Sequence, residues 1–300
     1  ANIRNVHYIL YHDEFEQNFQ CKWGVLSYLN PEDDIKLRTY NYFCKLNPDT
    51  LEILSSDEIN TSKNDIEPVW EFIGLEDVRL FRWEGQLYAS GVRRDVKENG
   101  EGRIELCKLD ITPDGVIEAT RDRVEVDPHT HLEKNWMPIL DMPFHFVRWC
   151  NPLEIIKVNP NNKSKQKALK GEIDIIDSEV VFKSNKPLDL PLGLRGSSQV
   201  IPFGDNGDRI CVTHETHFFW HQNKKKDAQY YHRFIIWDKD WNVKKVSEQF
   251  KFMDAMIEFA CGLVIKDNNF IITYGYQDNA AYALKMPIQL LDKLKWDINE

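Results

Sequence analysis

One recurring unit constrains this 300-residue chain more than any other feature. A short β-rich run meets a turn of Gly, Asp or Asn, then a second β-rich run that ends in polar residues, which is hairpin chemistry. It occurs at residues 77–81 with 87–91, at 198–203 with 210–214, and at 262–265 with 270–275, and 136–139 with 145–149 is a weaker copy. Counted from Asp77 through Asn135 and Ser197 to Glu258, the steps are 58, 62 and 61 positions. A near-constant step of this size marks a repeat architecture. A second unit, a strand closing on an Asp or Pro turn, follows each hairpin at 42–48, 106–110, 155–160, 234–238 and 282–287.

Two such units make a four-stranded blade. Five blades of about 60 residues fill positions 1–300 as one domain, an all-β, five-bladed β-propeller. Its first inner hairpin falls on 6–10 with a partner near 24–26. Leu290, Leu291 and Leu294 have helical spacing and predict a short C-terminal helix over 288–295. The polar stretches 55–67 and 159–170 read as loops. A β-sandwich with coincidental spacing is the competing architecture.

The bulk properties narrow the function. Hydrophobic residues at 42% and charged residues at 29% fit a globule with a sizeable core. A net charge of −10 disfavours phosphate-backbone partners, so no nucleic acid is expected. The run Lys224-Lys225-Lys226 reads as a solvated loop tip. No apolar run reaches the roughly 18 residues of a membrane span, and no basic-then-apolar leader is present. The start at Ala1 leaves open a removed leader or a larger parent chain. Six cysteines form no CxxC pair and no zinc or disulfide spacing. Most lie in apolar strand-like runs and read as buried reduced thiols, which suits the cytoplasm. Nine Trp suit sheet packing and stacking on sugar rings alike.

In a propeller the inner strand ends open on one face, so the repeat register predicts which distant residues meet. They are Asp77 and Arg79, then Arg93 and Arg94, then Lys134 and Asn135, then Arg195, His214, Glu215 and His217, and last Glu258, Tyr274 and Asp278. Cations converging on one cavity imply an anion. A carboxylate opposite them can act as general acid or base. A sugar bearing a phosphate would use both. Each residue also has a plainer use, such as an Asp77–Arg79 pair within the blade or a structural His214. The run His214-Glu215-Thr216-His217 is one residue short of HExxH and lies on a strand, so no metal or other cofactor is expected.

These segments resemble glycoside hydrolase family 130, propeller enzymes acting on mannosides, and the related mannosyltransferases of glycosyltransferase family 108. Gly74-Leu75-Glu76-Asp77-Val78-Arg79 is similar to a G-x-E-D-P-R segment, Glu133-Lys134-Asn135-Trp136 to a K-N-W segment, and residues 272–278 to an S-Y-G-x-x-D segment. His214 falls where the family places a phosphate-binding histidine. The resemblance implies an inverting mechanism with Asp77 as the direct acid or base. It implies a phosphate pocket of Arg93 or Arg94, Lys134 and His214, and an Asp278 that binds a sugar hydroxyl; Arg195, placed nearby by the repeat register, is added to that pocket in the transferase reading. Val78 in place of proline, the pair Arg93-Arg94, residues 194–199 and Tyr231-His232-Arg233-Phe234 mark a divergent branch.

Three functions follow. The first is an inverting glycosyltransferase, moving a hexosyl group between a sugar-phosphate or nucleotide-sugar donor and a glycan acceptor, with Asn135, Glu215, Glu258, Tyr274 and Asp278 against the sugar. The second is an inverting glycoside hydrolase, with Glu215 or Glu258 activating water across roughly 6.5–9.5 Å from the acid. The third is a non-catalytic glycan-binding propeller.

Overall fold

A computed structural model of the chain describes residues 1–7, 9–11, 27–29, 36–190, 193–220, 226–278 and 280–299. They form an all-β fold of propeller type, laid out as five successive, mainly antiparallel strand groups, the first three joined into one sheet where Gly115–Glu125 pairs in parallel with Ile53–Asn60 and with Gly171–Lys183. The first blade holds Asn2–His7, Leu37–Leu46 and Ile53–Asn60. The second holds Leu75–Trp83, Gln86–Arg93, Arg103–Thr112 and Gly115–Glu125. The third holds Met137–Pro138, His145–Cys150, Leu153–Ala168 and Gly171–Lys183. The fourth opens with Arg195–Gly196 and Ile201–Phe203, then runs through Asp208–Trp220, Lys226–Trp237 and Val243–Ser247. The fifth holds Glu258–Lys266, Asn269–Tyr276 and Ala280–Pro287.

Local chemistry sets the tight turns. Glu84 and Gly85 take φ of 50° and 80°, and Asp267 and Asn268 take 48° and 57°. Two successive positive φ values match the right-handed strand twist, and Gly, Asn and Asp tolerate them best.

The register differs from expectation in places. Val6 and His7 pair with Thr39 and Arg38, while Ile9–Tyr11 pairs with Ser27–Leu29. Positions 24–26, Cys21, Lys224 and Lys225 lie outside the described residues. The two stretches read as loops are largely strands. Residues 55–60 lie in Ile53–Asn60, and 159–168 prolong Leu153–Ala168. Both stretches carry mostly exposed side chains, so they lack the apolar alternation that betrays a half-buried strand. The C-terminal helix is a 3₁₀ turn, Ile288–Lys293, which buries Leu291. After it, Trp296–Asn299 returns as an added outer strand beside Val243–Ser247.

Apolar clusters fill the gaps between blades. Val78, Leu75 and Ile59 sit between the first and second. Phe81, Trp83, Trp136 and Phe146 sit between the second and third. Met137, Val147, Cys211 and Trp237 join the third to the fourth, and Val212, Phe234, Phe270 and Ile272 the fourth to the fifth. Among the described residues no such cluster joins the fifth blade to the first. A cleft of about 880 Å³ occupies that junction.

Blades approach most closely near the centre. A Cβ on Gly196 would lie 2.2 Å from the Asn135 carbonyl oxygen. Gly196→Ala is therefore expected to cost about 1–3 kcal/mol by overpacking. Gly275→Ala, where the nearest atom would be 4.0 Å away, is expected to stay near neutral. Urea midpoints of the two variants check this.

Candidate functional site

The inner strands meet on Arg79, which is 1% exposed. Its Nε donates to the Ser197 carbonyl at 2.6 Å, Nη1 to the Asp77 carbonyl at 2.6 Å, and Nη2 to Asn135 Oδ1 at 3.4 Å. The guanidinium also lies over the Phe259 ring, 5.4 Å from its centroid. One side chain thus gathers the second, third, fourth and fifth blades.

Beside it opens the cleft, lined by Arg4, Glu76, Asp77, Phe259, Tyr274 and Asp278 among others. Asp77, Asn135 and Asp278 all take left-handed backbone, with φ of 54°, 64° and 50°. Asp and Asn accept this at low cost, and such conformers gather at functional sites. The ladder of the Asp77 strand shifts register between Glu76 and Arg79, which turns the Asp77 carboxylate toward Arg4 Nη1, 3.4 Å away. Tyr274 is buried between Phe252 and Tyr282, and that burial raises its phenol pKa and keeps it protonated.

His214 is buried, its Nδ1 2.9 Å from Ser197 Oγ. Its ring stacks on Tyr230 at 5.3 Å and meets the edge of Phe259 at 5.0 Å. Burial holds the imidazole well below its usual range, and the charges of His232, Arg79, Lys134 and Arg195 add to this. His214 is therefore a neutral ring among cations. Lys134 and Arg195 are exposed, Arg195 resting on Trp149 at 4.7 Å. Arg94 lies over Phe72 at 5.1 Å and donates Nε to the Gly100 carbonyl at 3.0 Å. Among the described residues, none of Arg79, Arg94, Lys134 and Arg195 forms an ion pair with a carboxylate.

Three of the residues expected at the site stand elsewhere. Arg93 is 2% exposed and locked to Asp95 at 2.5 Å and Glu105 at 3.7 Å. It lines a separate cavity of about 620 Å³ between the first and second blades. Glu215 pairs with Arg233, accepts from Gln249 and lies 3.3 Å from His217. It follows His214 directly, and neighbours on a strand face opposite ways. Glu258 is fully buried and accepts backbone N–H bonds from Phe252, Met253 and Ala255 at 2.6, 2.8 and 2.9 Å. That carboxylate staples a loop.

The structure adds residues that sequence reasoning did not single out: Arg4, Glu76, Ser197, Tyr230 and Phe259. Glu76 had a signal, being next to Asp77. Arg4 had none, because only the folded ring brings the N-terminal strand to the second blade. No group of three His, Cys, Asp or Glu side chains able to hold a metal occurs among the described residues. No helix there is long and apolar enough to cross a membrane.

No family model and no curated protein matches the chain. Among solved structures it is similar to a mannose phosphorylase from Leishmania mexicana in complex with phosphate ion, at 13% identity and a TM-score of 0.44. That likeness covers 88% of this chain and 84% of the other. It is also similar to a GDP-Man-dependent mannosyltransferase from the same organism, at 14% identity and a TM-score of 0.42, covering 89% and 81%.

Behind the site, His232 faces His214 across the ladder and is 0% exposed. Its ring packs on Phe250 and Phe252, and neither ring nitrogen has a hydrogen-bond partner. Burial pulls its pKa down to about 3. The unfolded chain therefore binds more protons as pH falls, so this stability is complete above pH ~6.5 and drains toward the folded value. At pH 5 the loss is about 2 kcal/mol. His232→Phe is expected to narrow the gap in melting temperature between pH 8 and pH 5, read by thermal unfolding at both.

Proposed function

We propose that residues 1–300 act as one catalytic domain, an inverting enzyme that moves a hexosyl group, on the motif resemblance a mannosyl group. The transfer runs between a phosphate-bearing donor and a glycan acceptor. The observation that carries this reading is the charge pattern. Arg93, Arg103, Arg121, Arg123, Arg148 and Arg233 each pair with carboxylates. Among the described residues Arg79, Arg94, Lys134 and Arg195 do not, whereas Arg4 in the cleft pairs with Glu76 and Asp77. Unpaired cations beside a cleft suit a phosphate, which accepts from several donors at once.

In this reading Arg94, Lys134 and Arg195 hold the donor phosphate, with Arg79 supplying fixed positive potential from below. Neutral His214 offers a hydrogen bond without adding charge. Tyr274 and Asp278 face the sugar across the cleft, and Asn135 is held at its base by Arg79. The acceptor oxygen attacks the anomeric carbon on the face opposite the phosphate. The carbon–oxygen bond to phosphate breaks, its electron pair leaves on the phosphate oxygen, and Asp77 takes the acceptor proton. In the reverse direction phosphate attacks and Asp77 returns the proton to the departing glycan. One displacement inverts the centre. Preorganised cations stabilise the charge growing on phosphate. A hydrolase needs a second carboxylate to activate water; Glu215 and Glu258 are already taken by protein donors, which leaves Glu76 and Asp278 of the cleft for that reading.

The test is a thermal-shift panel with phosphate, mannose 1-phosphate, GDP, UDP and CMP. An anion that binds only the folded state raises the melting temperature. Lys134→Ala and Arg195→Ala are expected to abolish the shift. Asp77→Asn is expected to keep the shift while turnover falls about 10²–10⁴-fold. A panel with no shift overturns the phosphate pocket.

A further inference from the structure

The fourth blade does not end flush with its neighbours. Its two long strands, Asp208–Trp220 and Lys226–Trp237, pair in one register without a slip from Arg209 with Trp237 to Trp220 with Lys226. The flanking strand Arg195–Gly196 meets this ladder no further out than His214. On the other side the last contacts are the bridge from His232 to Phe250 and the Tyr230 N–H, which donates to the Met256 carbonyl at 2.8 Å. Beyond those rungs, among the described residues, the pair runs on as a two-stranded arm.

Because the register never slips, the two-residue alternation of a strand holds along the whole arm. His214, Thr216, Phe218 and Trp220 share one face, and Tyr230 joins them from the rung opposite Thr216. Glu215, His217 and Tyr231 share the other. That second face is polar and anchored. Arg233 and Gln249 hold Glu215, and Lys251 sits over the Tyr231 ring at 5.1 Å. The arm is thereby tied to the blade by its back.

The first face begins at the candidate site and turns aromatic. Tyr230 stacks on His214 with the rings 8° from parallel. Burial raises the Tyr230 phenol, a hydrogen bond with Thr216 opposes this, and the charges of Asp278 and Asp77 add to it. Tyr230 thus stands within electrostatic reach of both carboxylates of the cleft. Further out, Phe218 is 61% exposed and Trp220 67%. The row from His214 to Trp220 is about 20 Å long, with successive side chains about 7 Å apart. A protein interface is a broad patch with a polar rim. A file of rings that starts beside the candidate acid suits a chain molecule instead. An aromatic face covers the C–H side of a sugar ring and leaves its hydroxyls in water.

We propose that Tyr230, Phe218 and Trp220 are an acceptor platform, an aromatic row on which the sugars of a glycan stack beyond the unit seated in the cleft. This rests on reading the cleft as a glycan-transfer site and deepens it. The preferred acceptor is then a chain of several sugars, with its reacting end at Asp77 and its remaining units laid along the arm. Tyr230 marks the step from the cleft to the arm, and Trp220 meets the outermost unit.

Calorimetry on the full chain tests this, with mannobiose, mannotetraose and inorganic phosphate as probes. The native protein is expected to bind mannotetraose more tightly than mannobiose. Phe218→Ala and Trp220→Ala are each expected to weaken mannotetraose about three- to tenfold, the worth of one aromatic stack. Both are expected to leave mannobiose and phosphate binding unchanged, and Trp220→Tyr, which keeps a ring, to recover most of the loss. Equal affinity for the two glycans in the native protein overturns the platform and leaves the cleft standing. So does a gain with length that survives the double alanine variant. If neither glycan binds, the sugar reading of the cleft falls and the platform falls with it, whatever phosphate does. Sedimentation of the same proteins supplies the last check. A native dimer that Trp220→Ala dissociates would identify a second copy of the chain as the occupant of the arm, and would sink the idea.

Discussion

The buried guanidinium of Arg79 is the contact on which the rest of the site depends. A charge this deep must be surrounded by oxygen or it destabilises the fold. No carboxylate among the described residues pairs with it, so backbone carbonyls of Ser197 and Asp77 and the side chain of Asn135 supply the oxygen. Each of these groups belongs to a separate stretch of the ring, so satisfying one charge fixes their mutual positions. The left-handed backbone at Asp77 and Asn135 is held by the same demand. Positive potential at the axis and the placement of the candidate acid are therefore one feature.

The protein sorts its arginines by what surrounds them. In the second blade, Arg93, Arg121 and Arg123 interleave with Asp95, Glu105 and Glu118, making a closed network behind the site. Breaking any member would strand a partner, which makes such networks rigid rather than responsive. Arg148 does the same between Glu133 and Glu154, and Glu133 in turn receives Trp136 Nε1 and the Thr130 N–H. Lys134 and Asn135 follow directly. The K-N-W segment is thus anchored at Glu133 and Trp136, with Lys134 projecting into solvent and Asn135 folded inward.

Period and turn chemistry made the blades legible before any coordinates. The spacing from Asp77 to Glu258 tracks real inner strands because those strands bury one face and end where the ring opens. Strands with mostly exposed side chains, such as Ile53–Asn60, obey no such rule and read as loops. The site was half legible. Asp77, Asn135, His214, Tyr274 and Asp278 follow from register, since strand ends at equivalent heights share a face. Arg93 and Arg94 could not be told apart, because a one-residue step flips the facing and sequence does not say which face is inward. Sequence likewise does not show that Glu215 and Glu258 are held by protein donors, because a carboxylate near a site looks the same whether it faces a ligand or ties down a loop. Arg4 needed the third dimension altogether.

The ring has one joint unlike the others. Among the described residues four blade junctions are filled with packed apolar side chains, while the fifth is a cleft between the first and last blades that Glu76 and Asp77 of the second also line. No ladder crosses the gap among those residues, but Lys285 of the last blade reaches Asp49 of the first, 3.8 Å from its carboxylate and 3.4 Å from its carbonyl oxygen. A molecule seated there would supply the packing that the other junctions obtain from the chain itself. Occupancy of the cleft and closure of the ring would then be a single equilibrium, and the ligand would stiffen the whole molecule as well as its own site.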